Sequence, residues 1–138
     1  MNTRPIIIID DDKDDLELMQ QALAELNVEN EVIFFNDGFK FLDYINTTER
    51  KSFFILCDIN MHGLGGLELK KRISGDERLR LKCIPFLFFS TSKASPHIQE
   101  AYSYNAQGYF VKPADFNTLK DMLHSMIKYW GYSENPNP

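Results

Sequence analysis

The sequence predicts an α/β fold in which five parallel strands form a doubly wound sheet with helices on both faces. The first observation behind this prediction is a series of five short apolar runs that are continuous rather than alternating, which is typical of strands covered on both faces. The second is that apolar residues recur at helical spacing in the segments that follow these runs. A strand followed by a helix, repeated five times, favours parallel strands joined by right-handed crossovers.

The apolar patterns that predict the helices differ in length and clarity. The first and last helices carry long apolar stripes, whereas the second and third are shorter and the fourth, around 95–105, is the least apolar. The stretch 74–83 is interpreted as a surface connection that could contain a short turn of helix. The predicted strands are 6–9, 32–35, 53–57, 86–89 and 109–111, and the apolar helix positions are Leu16, Met19, Leu23 and Leu26, then Phe39, Leu42 and Ile45, then Leu64, Leu67 and Ile73, and finally Phe116, Leu119, Leu123, Met126, Ile127 and Trp130.

Composition and charge exclude several classes of protein. The 138 residues, 43% of them hydrophobic, suit one compact domain, which we place at 1–130, with a disordered tail at 131–138. A net charge of -5 argues against binding to nucleic acid or anionic lipid. We find no apolar run that could span a membrane and no signal peptide, and therefore expect a cytoplasmic protein whose output comes from this domain's own surface. Cys57 and Cys83 lie in apolar stretches and are expected to be buried, reduced thiols.

Polar residues cluster where the predicted strands end. Asp10 and Asp11 follow the first strand, Asp58 follows the third, Ser90 ends the fourth and Lys112 follows the fifth. Ligands of open parallel sheets bind beyond the carboxyl ends of the strands, so three acids, a hydroxyl and a lysine are expected to converge there.

This convergence predicts a magnesium site and a nucleophile. Clustered carboxylates repel one another unless a cation compensates, and Mg²⁺ is usually held by one or two carboxylates together with water and phosphate oxygens. Asp11 and Asp58 suit that role, with Asp10 acting through water. Asp58 could then attack a phosphoryl group in line while Lys112 steadies the transferred oxygens. The alternative, that the acids only cap the first helix, is preferred for Asp12, Asp14 and Asp15.

In these residues the chain resembles the receiver domains of two-component signalling over nearly its whole length. The apolar strand that ends in Asp10 and Asp11 resembles the family's acidic pair. Asp58-Ile59-Asn60-Met61 with Gly66 resembles its phosphoacceptor motif, and the segment 108–113, with Lys112-Pro113, resembles its lysine motif. The resemblance implies the flavodoxin-like (βα)5 receiver fold, with strand order 2-1-3-4-5, in a stand-alone domain.

The resemblance also implies the roles of individual residues. Asp58 would be the phosphorylation site, Mg²⁺ would be held by Asp11, Asp58 and the backbone carbonyl of Asn60 with Asp10 assisting, and Lys112-Pro113 would be a cis peptide. Ser90 and Tyr109 would be the switch residues that change the surface formed by the fourth predicted helix, the fifth strand and the last helix.

The implied partners are a histidine kinase or phosphotransfer protein and a downstream protein target. The chain would be a phosphorylation-controlled switch in a phosphorelay rather than a conventional enzyme, although it would catalyse its own phosphotransfer and dephosphorylation. Tyr129, Trp130 and Tyr132 form a candidate contact for a partner or a second copy, while Trp130 suits core packing equally well.

Three residues depart from the family pattern. His62 stands where proline is common, Ser90 replaces the commoner threonine, and Thr91 replaces a smaller residue. These departures bear on rates, and His62 is interpreted as a solvated loop side chain.

Two other functions remain as alternatives. One is a receiver-like interaction module that is never phosphorylated. The other is a phosphatase like the haloacid dehalogenases, which would use Asp10, Asp12, Ser90 and Lys112 and leave Asp58 idle.

Overall fold

The computed structural model describes residues 4–136 and places five parallel strands in one sheet with the order β2-β1-β3-β4-β5. The predicted fold class and strand order are confirmed. The strands are β1 (Ile6–Ile9), β2 (Val32–Phe35), β3 (Phe54–Cys57), β4 (Phe86–Ser90) and β5 (Gly108–Val111). The helices are α1 (Lys13–Glu25), α2 (Gly38–Thr47), α3 (Gly66–Ser74), α4 (Glu77–Lys82), α5 (Ser95–Ser103) and α6 (Phe116–Tyr132).

The three central strands are the most deeply buried part of the fold. Every residue of β1, β3 and β4 is buried, whereas the edge strands β2 and β5 are mostly half-buried. A central strand has side chains packed against helices on both faces, which explains the continuous apolar runs of β1, β3 and β4. The register pairs Ile9 with Cys57 and Ser90 with Val111, so the residues that follow β1, β3 and β5 emerge at the same edge.

The helices form two layers, one on each side of the sheet. Met19 and Leu23 of α1 pack with Leu123 and Met126 of α6 in one apolar core, which covers the face of β1 that carries Ile6 and Ile8. The other core is covered by α2, α3, α4 and α5, and it contains both cysteines, which are buried and unpaired as expected. The long helices α1 and α6 each bury one apolar face against the sheet, as the spacing predicts.

Several details of the sequence prediction are wrong. The stretch interpreted as a surface connection with a possible short turn of helix contains the six-residue helix α4, which is longer than one turn and is capped by Asp76 through the backbone N–H groups of Arg78 and Leu79. Phe39, expected on the core face of α2, is 47% exposed, and Phe41 is buried instead because it lies one turn before Ile45 on the face that meets the sheet. The Lys112–Pro113 peptide is trans, and the cis bond lies at Ile84–Pro85.

The boundary of the C-terminal tail also differs. Gly131 and Tyr132, assigned to a disordered tail, continue α6, and beyond them the Asn135 side chain donates a hydrogen bond to the carbonyl of Ser52. Residues 137–138 lie outside the described residues. Within residues 4–136, no helix has both the length and the apolar character that a membrane span requires.

Candidate functional site

The predicted polar residues do meet at the carboxyl edge of the sheet. Asp10 and Asp58 are 1% and 8% exposed, and Ser90 is fully buried. These are central positions of the sheet, where the topology places β1, β3 and β4 side by side. A carboxyl or hydroxyl group held there is removed from bulk water and needs polar partners.

Lys112 is the centre of the cluster. Its Nζ atom lies 2.7 Å from Asp10 Oδ2, 2.7 Å from Asp15 Oδ2 and 2.8 Å from Asp58 Oδ2. Its backbone N–H donates to the carbonyl of Ser90, which fixes the end of β5 against β4. An ammonium group has three N–H donors, so all three are used by carboxylates.

Burial and charge act in opposite directions on these groups. Burial raises the pKa of Asp10 to about 6, although hydrogen bonds from Lys112 and from the backbone N–H of Asp12 oppose the change. Burial alone would lower the pKa of Lys112, but the hydrogen bonds to Asp10, Asp15 and Asp58 outweigh it and hold that pKa above its ordinary value. The cluster is therefore short of positive charge, since several carboxylates share one ammonium group.

Asp58 is held by the backbone around it. Its Oδ1 accepts a hydrogen bond from the N–H of Asn60 at 3.2 Å, and its own N–H donates to the carbonyl of Ile9 at 2.9 Å. Gly66 begins α3 directly against this segment, where an added Cβ would lie 2.0 Å from the carbonyl oxygen of Asp58. The glycine of the motif is thus required by close backbone packing beside the candidate nucleophile.

Asp11 contacts a residue that the sequence prediction left unassigned. Asp11 Oδ2 accepts hydrogen bonds from the backbone N–H of His62 at 2.7 Å and lies 2.8 Å from His62 Nδ1. The His62 ring is fully exposed to solvent, as the interpretation of a solvated loop side chain expects, and it also contacts Asp11. Burial would raise the pKa of Asp11, but the two contacts with His62 outweigh burial and lower it.

The remaining acids divide between capping and the site. Asp12 caps α1 by accepting hydrogen bonds from the N–H groups of Asp14 and Asp15, as predicted. Asp15 was assigned to the helix terminus alone, yet its side chain binds Lys112. The signal that could have found it is its position in the first turn of α1, which directly follows the acids at the end of β1.

The donor set fits a hard divalent cation. Asp10 and Asp58 both direct a carboxylate oxygen at Lys112 Nζ, and Asp11 lines an open cleft with Asn60 and His62. Carboxylate and carbonyl oxygens are the ligands that such a cation takes. Residues 4–136 contain no group of three or more His, Cys, Asp or Glu side chains already arranged around a common metal position. Lys112 and His62 occupy oxygens of these carboxylates instead.

The two predicted switch residues meet at a third residue, Ser92. The hydroxyl of Ser90 accepts a hydrogen bond from the N–H of Ser92 at 3.3 Å, and the hydroxyl of half-buried Tyr109 donates to the carbonyl of Ser92 at 2.8 Å. The hydroxyl of Ser92 lies 2.7 Å from Nδ1 of His97 in α5. The loop after β4 thus joins the buried site to β5 and α5, and no pattern in the sequence predicts this role of Ser92.

Comparison of the chain with known proteins identifies one family. Residues 6–124 match the model of the response regulator receiver domain. A chemotaxis protein of Vibrio cholerae, CheY-3, is 30% identical over 123 residues, which are 89% of this chain and 91% of that protein.

Solved structures give the same result for the fold. The phosphorylated cyanobacterial phytochrome response regulator RcpA is 26% identical, with a TM-score of 0.86 over 98% of this chain and 99% of that chain. The Mn²⁺-bound form of response regulator Rcp1, a protein of Synechocystis, has a TM-score of 0.81 at 22% identity, over 96% of this chain and 97% of that chain.

Proposed function

Since this chain belongs to the receiver domain family of response regulators, we propose that it is a signalling switch that accepts a phosphoryl group on Asp58. The observation that carries the proposal is the Asp58 carboxylate. Asp58 directly follows the central strand β3, and Lys112 Nζ lies 2.8 Å from its Oδ2. The phosphorylated state of the similar protein RcpA supports it.

The chemistry is a phosphoryl transfer between two nucleophiles. A carboxylate oxygen of Asp58 attacks phosphorus in line, a new P–O bond forms, and the bond from phosphorus to the donor's leaving atom breaks. With a phosphohistidine donor, the bond that breaks is P–N and the imidazole leaves. The Lys112 ammonium lies where it can donate a hydrogen bond to an oxygen of the transferred group.

A divalent cation is part of this proposal, with Mg²⁺ as the physiological ion. Asp11, Asp58 and the backbone carbonyl of Asn60 would hold it, and Asp10 would assist. When bound, it neutralises carboxylate charge and polarises phosphoryl oxygens. The Mn²⁺-bound form of Rcp1 supports a divalent cation in this fold.

The signal would leave the site through Ser90. A phosphoryl group on Asp58 adds acceptor oxygens, which draw the Ser90 hydroxyl away from the N–H of Ser92. The loop after β4 then shifts, and with it the hydrogen bond from Tyr109 and the contact with His97. The surface that changes is formed by α5, β5 and α6. It is the same surface that the sequence predicts from its fourth helix, fifth strand and last helix, because that prediction does not count α4 as a helix.

The proposed partners follow from this role. A histidine kinase or phosphotransfer protein supplies the phosphoryl group, and a protein target in the cytoplasm recognises the α5-β5-α6 surface. Tyr129 and Tyr132, which are 66% and 81% exposed, are a candidate contact for that target or for a second copy, whereas Trp130 packs partly into the core. The chain acts on itself and not as a conventional enzyme.

The two alternatives fit the geometry less well. A dehalogenase-like phosphatase needs Asp12 as a catalytic acid, but the carboxylate of Asp12 is used to cap α1. A module that is never phosphorylated would not need buried carboxylates at 2.7 and 2.8 Å from a lysine, which are costly to bury.

The test is intact-mass measurement after incubation with acetyl phosphate. We expect the wild-type chain to gain the mass of one phosphoryl group when Mg²⁺ is present and to gain none in EDTA. Asp58→Asn should gain none in either condition, while Asp43→Asn, a change at an exposed position of α2, should behave like the wild type. Equal labelling of Asp58→Asn, or labelling of the wild type in EDTA, would contradict the proposal.

A further inference from the structure

The imidazole of His62 lies at the site and could bind a metal ion through nitrogen, which the proposed reaction with Mg²⁺ does not require. His62 lies in the loop after β3, and its Nδ1 is 2.8 Å from Oδ2 of Asp11, the acid assigned to the cation. The ring is fully exposed, so nothing packed around it prevents a small rotation. His62, Asp11 and Asn60 line one open cleft.

We propose that His62 is a specificity-determining residue that adds a nitrogen ligand to the cation site and shifts its preference from Mg²⁺ toward nitrogen-binding transition ions. This inference rests on the proposed function, because it assumes that Asp11 binds the cation.

The contact between His62 and Asp11 is what places the imidazole. The backbone N–H of His62 donates to Asp11 Oδ2 at 2.7 Å, so the loop is fixed to this acid independently of the ring. The ring nitrogen that faces Asp11 must carry a proton, because a carboxylate oxygen only accepts hydrogen bonds. A neutral ring that moves its N–H to the exposed Nε2 leaves Nδ1 with a free lone pair, directed at the same carboxylate that would hold the ion.

Ligand chemistry then gives the direction of the effect. Mg²⁺ prefers oxygen donors, whereas imidazole binds Ni²⁺, Zn²⁺ and related ions well, and divalent affinities rise from Mn²⁺ through Ni²⁺. An added imidazole therefore changes the affinity for Ni²⁺ much more than the affinity for Mg²⁺. A site made of the three aspartates and a carbonyl alone would favour Ni²⁺ over Mg²⁺ less strongly.

The experiment compares two ions in matched variants by isothermal titration calorimetry. Mg²⁺ and Ni²⁺ are titrated into the wild-type chain, His62→Ala, Asp11→Ala and His124→Ala, the last removing an exposed histidine of α6. His62→Gln is a second variant, which keeps a polar side chain in the loop. Thermal unfolding of each variant checks that it is folded.

We expect the ratio of Ni²⁺ affinity to Mg²⁺ affinity to fall by about tenfold or more in His62→Ala and His62→Gln, and to stay unchanged in His124→Ala. In pulsed electron paramagnetic resonance of the Mn²⁺-loaded protein, coupling to a ring nitrogen should be present in the wild type and lost in both His62 variants.

Three outcomes would separate the two proposals. An unchanged ratio of Ni²⁺ to Mg²⁺ affinity in the His62 variants would overturn the assignment of His62 while leaving the Mg²⁺ site intact. This includes the case in which both affinities fall equally, which would indicate a structural role. Absence of the nitrogen coupling in the wild type would also overturn it. If Mg²⁺ binds Asp11→Ala as tightly as the wild type, the proposed cation site itself is wrong.

Discussion

Lys112 has three N–H donors, and each is directed at a different carboxylate. Asp10 and Asp58 are nearly buried, whereas the Asp15 side chain is 33% exposed. Asp15 is therefore the partner that water can replace at the lowest cost when Lys112 turns toward a phosphoryl oxygen. The sequence predicts that Lys112 faces Asp10 and Asp58. It does not predict the third partner, because Asp15 comes from α1 and not from the end of a strand.

We expect Lys112→Met to bind Mg²⁺ more tightly than the wild type, by roughly tenfold, while losing phosphorylation by acetyl phosphate. The ammonium group repels a cation and occupies oxygens of Asp10 and Asp58, so its removal leaves both carboxylates to the ion. Calorimetric titration gives the affinity, and intact mass gives the phosphorylation. Lys128→Met, on the exposed part of α6, is the control and should change neither. Weaker Mg²⁺ binding by Lys112→Met would contradict the prediction.

At the scale of elements, the strands follow from the sequence more securely than the helices. β1 and β2 match their predicted bounds, because a run of four apolar residues is unmistakable when both faces are covered. For α4 the sequence indicated no more than a short turn of helix, because its six residues bury only Leu79 and so carry no apolar stripe. Phe39 was wrongly assigned to the core face of α2. In a helix this short, the apolar residues are compatible with more than one choice of buried face.

The start of α3 depends on Gly66. We expect Gly66→Ala to lower the free energy of unfolding by about 3 kcal/mol, because the added Cβ would meet the carbonyl oxygen of Asp58 and force the backbone apart. Gly75→Ala is the matched control, since its Cβ would have ordinary contacts of 3.6 and 3.7 Å, and it should be close to neutral. Urea unfolding of both variants measures the difference. Equal effects would show that α3 can shift away from Asp58 without cost.

α3 also carries a buried charge outside the site. Lys70 is fully buried, its Nζ has no hydrogen-bond partner within residues 4–136, and it lies 5.3 Å from the centre of the Phe86 ring. Burial lowers the pKa of Lys70. A cation over an aromatic ring contributes about 1–2 kcal/mol, which is less than the cost of burying an ammonium group without a hydrogen bond.

We therefore expect Lys70→Met to raise the free energy of unfolding at pH 7 by about 1 kcal/mol or more, while Lys71→Met at the exposed neighbouring position has little effect. The lowered pKa means that the unfolded chain binds more protons than the folded chain just below pH 10.5, so wild-type stability rises with pH in that window. The advantage of Lys70→Met should accordingly shrink as the pH rises toward 10.5. Urea unfolding at a series of pH values tests both statements, and a destabilised variant at pH 7 would refute them.

At the scale of the whole molecule, the site joins parts of the chain that are far apart in sequence. Lys112 and Asp10 are 102 residues apart and meet because β5 and β1 belong to one parallel sheet. This convergence could be predicted, because strand ends share an edge whatever their order along the chain. The contacts of His62 and Ser92 could not, since they depend on loop conformations that no spacing rule determines.

Because negative charge is in excess at that edge, we expect a bound cation to stabilise the whole fold. Mg²⁺ that binds the folded chain and not the unfolded one should raise the free energy of unfolding by about 2.7 kcal/mol at a hundred times its Kd, or the Tm by roughly 8 °C. Thermal unfolding in Mg²⁺, compared with NaCl at the same ionic strength, separates binding from screening. Asp11→Ala should lose most of the gain, and Asp43→Asn should keep it. An equal gain in NaCl, or in Asp11→Ala, would mean that the carboxylates at the end of the sheet are stabilised by general screening and by Lys112, without a bound cation.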